Sequence, residues 1–226
     1  MIRSVWLFAI ALGLSVSGCV SGLAAGPADR PGLGTSFGES RASPVEWVAF
    51  ERDDPERPLA VATLYYDDVE GIRDMARGAD PFGPPEAMTV GGGPLRVRLV
   101  DAWGAPLPTF SHAGRTYVAG RAGQRYAIEI ENRSPRRVEA VATVDGLDVF
   151  DGGPGSFDKR GYVLDAGQTY RIDGFRQSLH EVAAFRFGDV SESYAAATGD
   201  DANVGVIGVA FFAERRRDAD PFPGGW

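Results

Sequence analysis

The single cysteine of this chain, Cys19, directly follows a short apolar segment at the N-terminus. Arg3 gives that segment a small positive charge, and residues 5–14 form an apolar run. Ser17 and Gly18 are the small residues that a signal peptidase requires before its cleavage site. The run is shorter than the ~20 residues that a membrane-spanning helix needs, so residues 1–18 predict a secretion signal.

The segment Val16-Ser17-Gly18-Cys19 resembles the lipobox of a bacterial lipoprotein signal. This resemblance implies that Cys19 is acylated on sulfur, becomes the N-terminus of the mature chain and attaches it to a membrane through lipid. Val20 stands where an aspartate would suggest inner-membrane retention, so the resemblance favours the outer membrane and leaves the periplasmic or surface face open. The alternative is an ordinary signal peptide cleaved after Ala24-Ala25-Gly26, with Cys19 in the discarded segment.

The charge of the chain excludes two kinds of partner. It carries 31 acidic and 23 basic side chains, for a net charge of −8, and loss of residues 1–18 removes only Arg3 from this count. Nucleic acid and anionic lipid both repel so acidic a chain. We therefore predict no nucleic-acid partner, and contact with a membrane only through the N-terminal lipid.

Composition divides the chain into four segments. After the signal of residues 1–18, residues 19–43 are poor in large apolar side chains, which predicts a lipidated, flexible tether. Residues 215–226 mix arginines with prolines and glycines, which predicts a disordered tail. Residues 44–214 remain as one domain, and without disulfides that domain must be held together by buried apolar surface.

Apolar and polar residues alternate with a period of two through most of residues 44–214, which is typical of strands with one buried face. In residues 126–131, for example, Tyr126, Ile128 and Ile130 fall on one face of the strand, and Glu129 and Glu131 fall on the other. Clusters of Gly, Pro and Asp separate the segments. The predicted strands cover residues 45–51, 59–66, 95–101, 116–119, 126–131, 138–145, 161–164, 170–172, 183–187 and 204–212.

Residues 204–212 differ from the other predicted strands because apolar residues occupy both faces. Ala210 and Phe212 fall on one face, while Val209 and Phe211 fall on the other. This pattern predicts a central strand that is covered on both sides.

Helix signals are confined to residues 67–77 and 191–198. Ser191 is the predicted N-cap of the second helix, and Gly199 is its predicted stop. Many short strands with few helices are typical of all-β domains. The sequence therefore predicts an antiparallel β-sandwich of the jelly-roll or immunoglobulin-like kind, with one or two short helices.

Several segments of the C-terminal half form a recognisable set: Val144-Asp145-Gly146-Leu147, Gly161-Tyr162-Val163-Leu164, Gly174-Phe175-Arg176, Glu181-Val182-Ala183-Ala184-Phe185, Ser193-Tyr194-Ala195 and Asn203-Val204-Gly205-Val206-Ile207-Gly208-Val209-Ala210. Over about residues 120–213 they resemble a family of uncharacterised, β-rich bacterial proteins. The resemblance implies one compact β-rich unit and assigns no catalytic residue.

Nucleophilic catalysis has little support in this sequence. His112 and His180 are the only histidines, and no serine lies in a Gly-x-Ser-x-Gly elbow. Two distant histidines also give no zinc-ligand spacing. We therefore predict no catalytic residue and a non-enzymatic protein.

Aspartates gather in two loops, where carboxylates that converge with backbone carbonyls could bind Ca²⁺ as the one possible cofactor. The candidate residues are Asp145, Asp148, Asp151 and Asp158 in the first loop, and Asp200, Asp201 and Asn203 in the second. Neither spacing matches a calcium loop. The structural alternative is that Asp145-Gly146 forms a type I′ turn and that Asn203 caps a local turn.

The run Tyr65-Tyr66-Asp67-Asp68 places two aromatic rings next to two acids at the end of a predicted strand. Aromatic rings with polar acceptors suit sugar rings, so Tyr65 and Tyr66 are candidate sugar-binding residues. The structural alternative puts one tyrosine in the core and the other on the surface.

These features favour a lipid-anchored, non-enzymatic binding or structural module of the cell envelope, with another envelope protein or a polysaccharide as its partner. One alternative is a domain that binds or cleaves carbohydrate through Tyr65, Tyr66 and the acidic loops. Another is an adhesion or self-assembly module that uses exposed edge strands.

Overall fold

The computed structural model describes residues 32–77, 81–82, 85–199 and 202–216. Within these ranges the chain forms fourteen strands and two short helices. The strands are β1 (Leu33–Ala42), β2 (Ala60–Asp68), β3 (Met88–Val90), β4 (Leu95–Asp101), β5 (Thr109–His112), β6 (Arg115–Gly120), β7 (Arg125–Asn132), β8 (Val138–Val144), β9 (Leu147–Asp148), β10 (Tyr162–Leu164), β11 (Thr169–Ile172), β12 (Gly174–Arg176), β13 (Glu181–Asp189) and β14 (Val206–Ala213).

The strands form two sheets of seven, which confirms the predicted all-β sandwich. The first sheet has the order β1-β13-β7-β4-β3, with β11 beside β7 and β12 beside β13. The second has the order β10-β8-β14-β2-β6-β5, with β9 beside β8. The described pairings are antiparallel, as predicted, except that β2 and β6 run parallel.

The core lies between the sheets and is rich in aromatic rings. Tyr126 of β7 stacks on Phe185 and Phe187 of β13, with ring centroids 5.3 and 4.2 Å apart. β14 lies between β8 and β2, which confirms the predicted central strand. Phe211 faces the main core, whereas Phe212 joins a small apolar cluster on the outer face of the second sheet.

Both helices occur where helix signals were found, although the second begins later than predicted. α1 (Val69–Met75) is capped by Asp68, and α2 (Tyr194–Thr198) ends at Gly199, which has a left-handed backbone with φ 85°. The N-cap of α2 is Ser193 rather than Ser191, because Val190–Glu192 forms a separate 3-10 turn. No helix in the described residues is long and apolar enough to span a membrane.

The ordered domain begins before residue 44, so the predicted tether of residues 19–43 is too long. β1 (Leu33–Ala42) lies inside that segment and pairs with β13. Composition did not reveal this strand because it has few large apolar side chains and is held by backbone hydrogen bonds to a distant partner.

Residues 45–51 form no strand, contrary to prediction. They belong to a connection that leaves the first sheet, where the backbone N–H of Val45 donates to Leu179 O at 2.9 Å. The connection reaches the second sheet at Arg52, which pairs with Glu214 beyond the end of β14. We call residues 44–50 the strap.

Candidate functional site

Asp145, the first of the candidate calcium ligands, turns its carboxylate into the core. It lies between β8 and β9, where the φ angles of Asp145 (55°) and Gly146 (83°) are those of a type I′ turn. Its side chain is 1 % exposed. The turn therefore has the structural geometry that the sequence offered as the alternative to a metal loop.

The buried carboxylate ends a chain of hydroxyl groups that crosses between the sheets. The hydroxyl of Tyr66 donates to Asp145 Oδ1 at 2.5 Å. Because that donation uses the only proton of Tyr66, Thr35 Oγ1 donates to Tyr66 at 2.8 Å and accepts from Tyr126 at 2.7 Å. We call these four residues the Asp145 clasp.

Backbone donors satisfy the rest of the Asp145 carboxylate. Thr35 N donates to Oδ2 at 2.8 Å, and Gly205 N donates to Oδ1 at 3.0 Å. Burial raises the pKa of Asp145 to about 6, and the hydrogen bonds from Tyr66, Thr35 and Gly205 oppose that rise. Burial also raises the pKa values of Tyr66 and Tyr126 well above the usual range. The clasp joins β1, β2, β7 and the residues before β14.

The other aspartates of the first loop hold local turns. Asp148 Oδ1 accepts from the backbone N–H groups of Phe150 and Asp151 at 2.9 and 3.0 Å. Burial raises the pKa of Asp148, and its Oδ2 atom is buried without a hydrogen-bond partner among the residues that the structure describes. Asp151 pairs with Lys159 at 2.5 Å, and this bond lowers the pKa of Asp151. Asp158 is exposed and lies 3.5 Å from the Ser156 hydroxyl.

The second acidic loop is described only in part. Asn203 is exposed and lies against Gly146 of the Asp145 turn, and its carbonyl accepts from Val206 N at 3.2 Å. Asp200 and Asp201 lie outside the described residues, as does Cys19. Among the residues that are described, no three His, Cys, Asp or Glu side chains come together as a metal site.

The two candidate sugar-binding tyrosines point in opposite directions. Tyr66 is 3 % exposed and belongs to the clasp, so it offers no face to a ligand. Tyr65 lies on the outer face of the second sheet, in register with Tyr117, and the two ring centroids are 5.5 Å apart. Phe110 is in register with Tyr117, and the Arg115 guanidinium lies 4.9 Å from the centroid of the Tyr65 ring.

A cavity of ≈ 510 Å³ opens between the strap and the edge of the sandwich at β10. Its volume is within the range of about 300–1,000 Å³ that is usual for ligand pockets. We call it the aromatic cleft. Its aromatic and polar lining residues are Trp47, Phe50, Phe150, Tyr162, Tyr170, Glu46, Glu139, Arg160 and Gln168, and the apolar Val45, Val48, Val163 and Leu179 also contribute.

Four aromatic rings run in a continuous line from the strap to the first sheet. The centroids are 5.8 Å apart from Trp47 to Phe150, 5.5 Å from Phe150 to Tyr162, and 5.0 Å from Tyr162 to Tyr170. The Arg160 guanidinium lies 5.1 Å from the centroid of Trp47. The cleft therefore combines flat apolar surfaces with an accessible cation, a combination that suits specific binding.

The mouth of the cleft exposes apolar side chains. Trp47 is 59 % exposed, Val48 54 % and Leu179 37 %. Single exposed apolar residues are common on proteins, but a group of them lining one concave surface marks an interaction site.

Partly buried polar contacts hold the walls of the cleft together. The Arg176 guanidinium donates to Ser43 O at 2.8 Å and to the Tyr162 hydroxyl at 3.1 Å, which ties the start of the strap to β10. Glu139 Oε2 accepts from Arg52 Nε at 2.6 Å, and its Oε1 accepts from Gly161 N at 2.8 Å. These bonds connect the two ends of the strap to β8, β10 and β12.

Tyr162 lines the cleft as a neutral phenol. Burial raises its pKa to about 12, against the opposing effect of Arg176, so the phenol keeps its proton at neutral pH. The two histidines, His112 and His180, are exposed and lie outside the cleft lining.

Sequence reasoning missed the aromatic cleft because its residues come from six separate segments. Residues 45–51, which include Trp47, were predicted as a strand, and no local motif in the sequence connects them with Phe150, Tyr162 or Tyr170. Comparison with family models, with curated proteins and with solved structures found no match to this chain.

Proposed function

We propose that this protein is a non-enzymatic binding module of the cell envelope that holds its ligand in the aromatic cleft. The observation that carries the proposal is the line of four rings beneath an exposed strap, with Trp47, Val48 and Leu179 at the mouth. Exposing this much contiguous apolar surface is unfavourable in water, and a bound partner would remove it.

In this proposal the lipid on Cys19 supplies the location. Residues 20–31 connect that lipid to β1 and would carry the cleft away from the membrane surface, with the outer membrane as the favoured site. Incorporation of radiolabelled palmitate tests this part. We expect label on the native chain and none on Cys19→Ala, and a labelled Cys19→Ala protein would contradict the assignment.

Affinity capture from solubilised envelopes tests the cleft. The native chain, Trp47→Ala and Trp103→Ala serve as baits, because Trp103 is an exposed tryptophan outside the cleft lining. We expect one envelope component to be retained by the native chain and by Trp103→Ala and to be lost with Trp47→Ala. Equal retention by both variants would show that the cleft is not the binding site, and turnover of a captured substrate would show that the protein is an enzyme.

A second candidate function is carbohydrate binding on the outer face of the second sheet. It is favoured by Tyr65 and Tyr117, which lie side by side with Arg115 over one ring. A glycan array probed with the native chain, Tyr65→Ala and Trp47→Ala separates the two candidate sites. Glycan binding that is lost with Tyr65→Ala alone supports this candidate, and binding no higher than background rules it out.

A further inference from the structure

The strap presents a backbone without hydrogen-bonded neighbours. Among the described residues, no backbone N–H or C=O of residues 46–50 has a backbone hydrogen-bond partner. From the described side chains this backbone accepts one hydrogen bond, from Arg137 Nη2 to Ala49 O at 3.3 Å. Residues 46–49 are all exposed. The strap thus lines one side of the cleft with available donors and acceptors.

The strand β10 lines the other side of the cleft and is an edge strand, because its pairing in the described residues is with β8. Backbone groups along a strand point alternately to its two neighbours. Two hydrogen bonds just beyond the ends of β8 show which of its residues point their backbone N–H and C=O groups towards β14. Glu214 N donates to Arg137 O at 3.3 Å, and Asp145 N donates to Val206 O at 2.8 Å. Odd-numbered residues of β8 therefore face β14.

Even-numbered residues of β8 face the opposite side, as the bond from Val149 N to Ala142 O at 3.1 Å also shows. In the register of β10, Tyr162 lies opposite Ala140 and Leu164 lies opposite Val138. These two residues of β10 consequently exchange hydrogen bonds with β8. The backbone N–H and C=O of Val163, between them, point away from β8 and towards the cleft.

We infer that the aromatic cleft binds an extended segment of another envelope protein, which adds to β10 as a further strand beneath the strap. The inference rests on the proposed function and names the class of its ligand. Backbone hydrogen bonds to Val163 and to the strap would fix the segment, and its alternate side chains would pack against Trp47 and Tyr162.

The chemistry of the walls favours a peptide over a sugar. Two polar side chains of the walls are already engaged, because the Glu139 carboxylate accepts from Arg52 and Gly161 and the Tyr162 hydroxyl accepts from Arg176. Glu46, Arg160 and Gln168 also line the cleft, but the unpaired groups that follow one another along the strap are backbone groups, which match those of an extended peptide.

The test begins with a library of random 12-residue peptides displayed on phage and panned against the full chain in detergent. We expect enriched peptides that bind the native chain and bind Trp47→Ala at least tenfold more weakly. Each enriched peptide is then synthesised with single backbone N-methyl groups. Because the bound segment would bond to Val163 through one edge and to the strap through the other, N-methylation at the residue that donates to Val163 O should weaken binding at least tenfold, and N-methylation at either end of the peptide, beyond β10 and the strap, should not.

Val163→Pro removes the outward N–H of β10 and leaves its bonds to β8 in place. Thr89→Pro is the matched control. Thr89 is the middle residue of the edge strand β3 and lies opposite Arg96. The bond from Arg133 N to Pro94 O shows that the backbone groups of even-numbered residues of β4, including Arg96, point towards β7. The backbone N–H of Thr89 therefore points away from β4, as that of Val163 points away from β8. We expect Val163→Pro to lose at least tenfold in affinity and Thr89→Pro to stay within twofold of the native chain.

Each outcome decides the inference. Failure to enrich a peptide, or enriched peptides whose binding no single N-methyl group weakens, would overturn it, and the N-methyl series suffices if Val163→Pro does not fold. The inference would also be overturned if a chain truncated after Arg216 bound the peptides at least tenfold more tightly than the full chain does. Residues 217–226 would then be the natural occupant of the cleft. If a polysaccharide is captured through Trp47 while no peptide binds, the proposed function stands and this inference fails.

Discussion

The Asp145 clasp and the aromatic cleft lie in the same β-sandwich but differ in how their polar groups are satisfied. In the clasp, both carboxylate oxygens and three hydroxyl groups are hydrogen bonded within the protein. In the cleft, the backbone of residues 46–50 lacks backbone partners among the described residues. The clasp needs nothing from outside the domain, whereas the cleft leaves groups available to a ligand.

Whether a polar group is already hydrogen bonded within the protein distinguishes structural residues from binding residues better than residue type does. Asp145 is a charged residue in a loop, which in a sequence resembles a metal ligand, yet it holds the core together. Val48 is exposed and Val163 is half-buried, and both are ordinary apolar residues, yet their position beside unpaired backbone makes them part of the candidate site. Loss of a clasp residue should therefore affect stability, and loss of a cleft residue should affect binding.

Asp145→Ala has the largest expected effect on stability. It leaves the N–H groups of Thr35 and Gly205 and the hydroxyl of Tyr66 without an acceptor, and it places alanine at a positive φ. We expect the free energy of unfolding to fall by about 3–5 kcal/mol. Urea denaturation measures it, and a loss below about 1 kcal/mol would show that the clasp is not a major support of the fold.

Asp145→Asn sharpens the same measurement, because asparagine tolerates a positive φ and keeps one acceptor oxygen. Its amide NH₂ cannot accept a hydrogen bond, so either Thr35 N or the pair of Tyr66 OH and Gly205 N loses its acceptor. We expect this variant to be intermediate, about 1–3 kcal/mol less stable than the native chain at pH 7.

The pH dependence of stability is the second test of the clasp. The pKa of Asp145 is about 6 in the folded chain and about 3.9 in an unfolded chain, so the folded state binds more protons between these values. The contribution of Asp145 to stability is therefore greatest below about pH 4 and declines as pH rises to about 6, by about 3 kcal/mol in total.

Other carboxylates act in the opposite direction, since Arg186 and Arg125 lower the pKa of Glu39 to about 2. The native chain must therefore be compared with Asp145→Asn at each pH from 4 to 7. The stability advantage of the native chain should shrink as pH rises, and an advantage that stays constant would contradict the raised pKa.

Trp47→Ala should have the smallest effect on stability. Trp47 is 59 % exposed and contacts Phe150 and Arg160, so we expect a change within about 1 kcal/mol, similar to that of Trp103→Ala. Thermal unfolding of both variants measures this change. A loss for Trp47→Ala of more than about 2 kcal/mol would mean that the strap supports the fold rather than a ligand.

Strands could be predicted from the sequence wherever apolar and polar side chains alternate. β4 was predicted at residues 95–101 with its observed bounds, and the two apolar faces of residues 204–212 indicated the central place of β14. The Asp145-Gly146 turn could also be read, because aspartate and glycine both tolerate a positive φ.

What could not be predicted depends on contacts between distant segments. β1 is stabilised by its pairing with β13, about 150 residues later, so its own composition gave no signal. The partners of Asp145 are Thr35, Tyr66 and Gly205, and their convergence exists only in three dimensions. The aromatic cleft was missed for the same reason.

We propose that the aromatic cleft is where this protein meets its partner in the envelope. The most direct test of this proposal is photo-crosslinking in living cells, with a photoreactive amino acid at position 48 on the strap or at position 103 outside the cleft, in the native chain and in Cys19→Ala. We expect one discrete adduct from position 48 that is absent from position 103 and lost with Cys19→Ala. Identical adducts from both positions, or none from position 48, would contradict it.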